Sequence, residues 1–225
     1  MNKLRNMLIA AIAIVALSTS AFAGSVGIGV TGNLALISAT GSGAEGTDAE
    51  VNQSAEAHKN SFVGSLFAEY SFDNGFTLGL DYIPGSAKVS KGVSRTDIEL
   101  SAAGGAATTL SVTRTAQAEV ENHMTYYAEI PLHAGLYVKG GWVQLDVNTQ
   151  ETGGAQTYGN ASVDGLLYGI GYKNEFGTSA YYKVEGTQSA FDTLTLVGTG
   201  GVDSPTTIKA DLDVAKLTFA LGYKF

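Results

Sequence analysis

Three groupings of residues in this sequence have the composition of reactive sites. Gly27-Ile28-Gly29-Val30-Thr31-Gly32 matches G-x-G-x-x-G, the pattern whose glycines let a pyrophosphate approach the N-terminus of the helix that follows. His123 lies between Glu121 and Thr125, a set that would supply the base, carboxylate and hydroxyl of an acyl-transfer site if the fold brought them within hydrogen-bond reach. Glu69, Asp81, Glu121 and Glu129, with Lys139, Lys173, Lys183 and Lys216, are charges embedded in segments otherwise apolar, small or aromatic. Away from water such charges must pair.

The first two readings fail on context. No helical period follows Gly32, and Gly27 and Gly29 share the small-residue face of an alternating strand, so packing accounts for them better than a cofactor does. No serine stands where a nucleophile beside His123 would have to be, and lumen packing or hydrogen bonding is the simpler account of that histidine. His58 falls in a long connection and His133 at a turn, so the three histidines make no metal site. The lack of cysteine removes thiolate ligands, cysteine nucleophiles and disulfide staples. No cofactor is expected.

Strands are the elements left to position the charges. Beyond Ala23 no apolar run approaches the roughly 20 residues of a spanning helix, so any passage through a membrane must be made by strands. Alternation of period two is the recurring pattern. Val26, Ile28, Val30, Leu34 and Leu36 share one face opposite Gly27, Gly29, Thr31, Asn33 and Ala35. Phe62, Leu66, Ala68, Tyr70 and Phe72 do the same against Ser65, Phe67 and Glu69. Asp73-Asn74-Gly75 then predicts a tight turn into a strand that puts Asp81 on the inner face. Over 120–130, Met124, Tyr126, Ala128 and Ile130 face outward and Glu121, His123, Thr125, Tyr127 and Glu129 inward. Leu136 and Val138 have one parity and Val143, Leu145 and Val147 the other, which predicts a bulge at Gly140-Gly141. Segments 166–173 and 180–187 turn Lys173, Lys183 and Glu185 inward. Connections alternate between short, at Asp73 to Gly75, Pro131 to His133 and Asn174 to Thr178, and long, at 38–60, 84–118, 148–161 and 188–208. Eight strands follow, with both ends on the side of the short turns.

The last strand is the sharpest: Leu217, Phe219, Leu221, Tyr223 and Phe225 alternate with Lys216, Thr218, Ala220, Gly222 and Lys224. A terminal Phe preceded by an apolar or aromatic residue at every second position resembles the C-terminal signal of bacterial outer-membrane barrels. With the strand count, the mature chain is similar to the small OmpA-like, OmpW-like and Opa-like barrels. The resemblance implies an all-β, eight-stranded antiparallel up-and-down transmembrane β-barrel over 24–225, located in the outer membrane among its lipids and inserted by an assembly machinery that reads the C-terminal strand. Met1 to Ala23, with Lys3 and Arg5 before an apolar core and Ser20-Ala21-Phe22-Ala23 after it, is expected to be a cleavable signal peptide. No peptidoglycan-binding module follows Phe225, unlike full-length OmpA, so cell-wall anchoring is not expected.

Removal of Lys3 and Arg5 leaves 11 basic residues against 21 acidic ones, which speaks against a nucleic-acid partner. The inner faces predict an ionic lumen in which opposite charges meet across a barrel just wide enough for its side chains. Phe62, Phe72, Phe76, Tyr82, Tyr126, Trp142, Tyr172, Tyr182, Tyr223 and Phe225 are expected as girdles at the lipid interfaces. The acidic first connection, with Glu45, Asp48, Glu50 and Glu56 against Lys59, is expected to be solvated. The function that follows is a monomeric structural or surface-interaction protein presenting four long loops to an unidentified extracellular ligand, with no catalytic residue. The alternative is a narrow porin-like channel or, by resemblance to OmpW-like barrels, a conduit for small apolar molecules. A lipid A-modifying enzyme, as some similar small barrels are, ranks third.

Overall fold

The computed structural model describes residues 24–44, 52–88, 93–100, 109–152, 157–199 and 207–225. The expected signal peptide, and Glu45, Asp48 and Glu50 of the acidic connection, lie outside them. Eleven strands occur among the described residues: β1 (Gly24–Ala44), β2 (Asn52–Phe72), β3 (Thr77–Lys88), β4 (Val93–Leu100), β5 (Thr109–Pro131), β6 (Leu136–Thr152), β7 (Thr157–Tyr158), β8 (Ala161–Phe176), β9 (Ala180–Phe191), β10 (Leu194–Thr199) and β11 (Thr207–Lys224). Eight of them close a ring in the order β1, β2, β3, β5, β6, β8, β9, β11, and β11 returns to β1. The other three lie at the end of the long connections. There β4 pairs with β5, while β10 pairs with both β11 and β7.

The short turns fall where turn chemistry requires. At Asp73-Asn74-Gly75, Gly75 has φ +82° and Phe76 N–H donates to Asn74 Oδ1 at 3.0 Å, a positive φ that glycine adopts without a Cβ clash. The last turn is shorter than expected, because β8 runs on to Phe176. The long connections are shortened too: β1, β2, β5 and β11 reach 21, 21, 23 and 18 residues, against the 9 to 11 or so that cross a bilayer.

Register fixes the geometry of the ring. From Ile37, the paired neighbours Val214, Ser189, Leu167, Gly141, Tyr127, Gly79 and Glu69 lead back to β1 at Gly27, ten residues from the start. Eight strands with that stagger tilt by about 40° and enclose a backbone cylinder of roughly 8 Å radius. Side chains alone fill such a space.

The outer face is the inverse of a soluble protein's. Ile28, Val30 and Leu34 on β1, Phe62 and Leu66 on β2, Leu166, Tyr168 and Ile170 on β8 and Leu217, Phe219 and Leu221 on β11 are all exposed. The band they form is about 25 Å tall along the axis, the height of a bilayer's apolar layer. At its turn end stand Phe72, Phe76, Tyr172, Phe176, Tyr182, Tyr223 and Phe225, several ring against ring: Tyr223 and Phe225 have centroids 5.0 Å apart, Phe72 and Phe76 5.8 Å. Trp142 and Tyr126 stack at 6.1 Å further up the barrel. Amphipathic rings favour such an interface.

Inside, glycines make room for rings. A Cβ on Gly79 would meet the ring of Tyr127, one on Gly171 that of Tyr137, one on Gly222 that of Tyr181, and one on Gly29 that of Phe67. Gly27 and Gly29 of the G-x-G-x-x-G match are therefore seats for Tyr181 and Phe67 on a continuous strand.

The expected bulge at Gly140-Gly141 is corrected. Both glycines pair in unbroken register with β5 and β8, and the irregularity sits on β5, where Asn122 and His123 intervene between the pairs Glu121 with Asp146 and Met124 with Gln144. Asn122 has φ +53°, a left-handed conformation that Asn tolerates better than most residues. Val143, Leu145 and Val147 therefore stay in one parity with Lys139 and turn into the lumen. There they pack with Val163, Leu167 and Phe191 into an apolar core, edged by Ala118, Val120, Leu194, Leu212 and Val214.

Candidate functional site

The lumen is layered along its axis. Toward the turn end, Lys183 Nζ contacts Glu129 at 2.7 and 3.0 Å and also ion-pairs with Glu69, all three side chains being almost wholly buried. Lys173 binds Glu69 at 2.9 Å, and Lys139 binds Glu185 at 2.8 Å with Glu129 at 3.8 Å. Tyr127 donates to Glu69 at 3.0 Å and Tyr137 to Glu185 at 2.6 Å. Lys139 also lies 3.7 Å over the Tyr127 ring and Lys173 4.3 Å over that of Tyr181. Three carboxylates thus face three ammonium groups. Every charge in the layer is countered, which a low-dielectric interior requires.

Above this layer runs a chain of hydrogen bonds among hydroxyl and amide groups that ends on the Asp81 carboxylate. Ser65 donates to Asp81 Oδ2 at 2.6 Å and meets the Thr31 hydroxyl, Asn33 donates to Thr31 at 2.6 Å, and Thr218 donates to Asn33 at 2.7 Å. Higher still is the apolar core around Val143 and Leu145. The side chains that fill these layers, among them Glu69, Lys183 and Glu129, then Asn33, Ser65 and Thr125, then Val143 and Leu145, are all buried.

Of the eight charges singled out in the sequence, Glu69, Glu129, Lys139, Lys173 and Lys183 come together in the ionic layer. Asp81 lies one layer up, hydrogen-bonded to Ser65, and Lys216 has no carboxylate within 4 Å among the described residues. Glu121 is a correction. The bulge at Asn122 and His123 reverses the parity of β5, so Glu121 pairs with Asp146 and Ser86 on the outer face rather than entering the lumen. His123, Thr125 and Glu121 consequently do not assemble, since Glu121 points away from the other two. Glu185, Tyr127 and Tyr137 complete the ionic layer without having been singled out as site residues. Their inward parity beside Lys183, Glu129 and Lys139 is the signal that marks them.

Among the described residues the wall is interrupted between β2 and β3. Pairing between β2 and β3 stops at Leu66 with Tyr82; above it β2 pairs with β1 alone and β3 with β5. Pro84, which has no N–H to donate, and Gly85, at φ +88°, lie in the register shift of β3 at that height. Phe62 and Gly64 on the other lip are lipid-facing, so the cleft opens within the apolar band.

No family model matches this chain, and no curated protein matches its sequence. Solved structures do. The outer membrane protein OprG from Pseudomonas aeruginosa superposes with a TM-score of 0.52 at 12% identity, covering 91% of this chain and 97% of that one. The outer membrane protease OmpT from Escherichia coli aligns at 0.48 and 8% identity over 92% and 100%, and the attachment invasion locus protein Ail of Yersinia pestis at 0.44 and 12% over 91% and 100%. At these identities the likeness concerns fold, and among the three OprG alone superposes well enough to carry it. Joined to the closed ring, the exposed apolar band and the aromatic rings at its turn end, it gives this chain the fold of a small eight-stranded β-barrel of the kind seen in outer-membrane proteins.

Proposed function

We propose that this barrel is a closed membrane scaffold that raises extracellular strands and loops for contact with a partner at the cell surface. The observation that carries the reading is the filled lumen, ionic below and apolar above, between Lys183 and Val147. The strand lengths favour it as well. Lipid-facing residues on β1 end at Leu36, yet the strand continues eight residues to Ala44, roughly 20 Å further along the axis at this tilt. The alternating outward residues Leu217 to Phe225 on the strand that closes the ring support assembly through the C-terminal strand. The test is single-channel recording on refolded protein in planar bilayers. The reading requires silence; reproducible conductance steps would refute it.

The cleft between β2 and β3 favours a second reading, passage of small apolar molecules from the loop end into the outer leaflet without crossing the ionic layer. Uptake of a small apolar dye by cells with and without the protein separates the two. Equal rates discard the conduit, and faster uptake with electrically silent bilayers supports it.

A further inference from the structure

Between the ionic layer and the apolar core lies a cavity of about 20 Å³, lined by Thr31, Asp81, Thr125, Lys139, Thr187 and Lys216 among others. Three buried atoms on its wall have no hydrogen-bond partner among the described residues: Asp81 Oδ1, Thr125 Oγ1 and Thr187 Oγ1, on side chains only 7%, 1% and 6% exposed. They come from three different strands, β3, β5 and β9, and Lys216 reaches the same space from β11. Native interiors rarely leave so many polar atoms unmatched in one place, because each would bear its full desolvation penalty.

We propose that this cavity is a binding site for one or two ordered water molecules, which bridge the free oxygen of Asp81 to the Lys216 ammonium group and hydrogen-bond the hydroxyls of Thr125 and Thr187. Size and charge both select water. The volume matches one or two molecules, each needing roughly 10–15 Å³ in this measure, and the wall offers more than the 2–4 polar partners that a buried water takes. An inorganic anion would meet the Asp81 carboxylate, and a metal cation the Lys216 ammonium group. A neutral molecule that both donates and accepts suits the mixed wall. The solvent-separated pair also accounts for Lys216, a lumen lysine with no direct carboxylate contact among the described residues.

The test uses Thr125→Val and Thr187→Val, each replacing a hydroxyl by a methyl of similar size, in the full chain refolded into lipid vesicles and titrated with urea. If the hydroxyls hold water, each variant unfolds at a lower urea concentration than the parent. If they are dry, removing an unmatched buried hydroxyl leaves the midpoint unchanged or raises it, and the proposal fails. A crystal structure at a resolution that shows water, from crystals grown with bromide, gives a second readout that does not depend on the variants. Density at about 2.7–3.2 Å from Asp81 Oδ1 without anomalous signal supports the assignment; an anomalous bromide peak, or no density, overturns it.

Discussion

Lys183→Met removes the centre of the ionic layer and leaves a methylene stem of similar length behind. Glu69 keeps Lys173 at 2.9 Å and the Tyr127 hydroxyl at 3.0 Å, so its charge remains matched. Glu129 does not fare so well, since its remaining cation is Lys139 at 3.8 Å, already committed to Glu185 at 2.8 Å. The variant therefore buries one poorly matched carboxylate, and breaking a buried pair from one side costs about 3–5 kcal/mol. At the lower figure the ratio of folded to unfolded protein falls by about two orders of magnitude. The assay is urea unfolding in vesicles, read by the gel-mobility difference between unheated folded and boiled unfolded barrel. Lys183→Met with Glu129→Gln restores neutrality and is expected to recover at least half of the loss, the two sites being in contact and hence non-additive. A single variant with the parent's midpoint, or a double variant no better than the single, would refute the idea that charge matching holds the layer together.

Three further outcomes follow from the same geometry. Gly79→Ala sets a methyl against the Tyr127 ring and is expected to lose about 1–3 kcal/mol in the same unfolding assay, whereas Gly140→Ala, with open space around its Cβ position, should change stability by less than about 1 kcal/mol. Ile170→Arg, in the apolar band, is expected to cost about 2–4 kcal/mol, and Thr195→Arg on β10, at the loop end, close to nothing; equal effects would mean that the membrane boundary does not lie between these two positions. Cysteines at Ala68 and Leu80, which are paired in register, should oxidise to a disulfide in the outer membrane, while cysteines at Gly64 and Pro84 should not. Efficient oxidation of the second pair, seen as a mobility shift without reductant, would mean that the wall between β2 and β3 is closed.

Much of this barrel is legible from the order of residues because a transmembrane strand has two solvents. Lipid outside and a packed lumen inside impose a period of two, which reads directly as Val26, Ile28, Val30 against Gly27, Gly29, Thr31, and as Leu217 to Phe225 on the last strand. Asp73-Asn74-Gly75 marks its turn by the positive φ that the hairpin needs. The same alternation turns Glu69, Glu129, Lys139, Lys173 and Lys183 inward, since a lipid-facing charge is penalised wherever it falls in the band.

Parity within one strand says nothing about a neighbour's register, and there tertiary structure decided. Apolar Val143, Leu145 and Val147 read as lipid-facing after a bulge, because apolar side chains suit lipid and a packed lumen alike and local parity carries no sign of the second; the inner core they form with Val163, Leu167 and Phe191 exists only once β6, β8 and β9 are side by side. One extra residue at Asn122 and His123 moved Glu121 to the outer face, because a side-chain period of two is reversed by any odd insertion. Which carboxylate meets which lysine depends on a stagger of ten residues summed over eight pairings, and only the closed ring determines that sum. The sequence by itself thus determined that there is a barrel, which face of most strands meets lipid and, Glu121 excepted, which of the eight charges turn inward, since those follow from local periodicity; the outward turn of Glu121, the partners of Lys183, the open seam above Leu66 and the polar cavity beside Lys216 arise from contacts between strands.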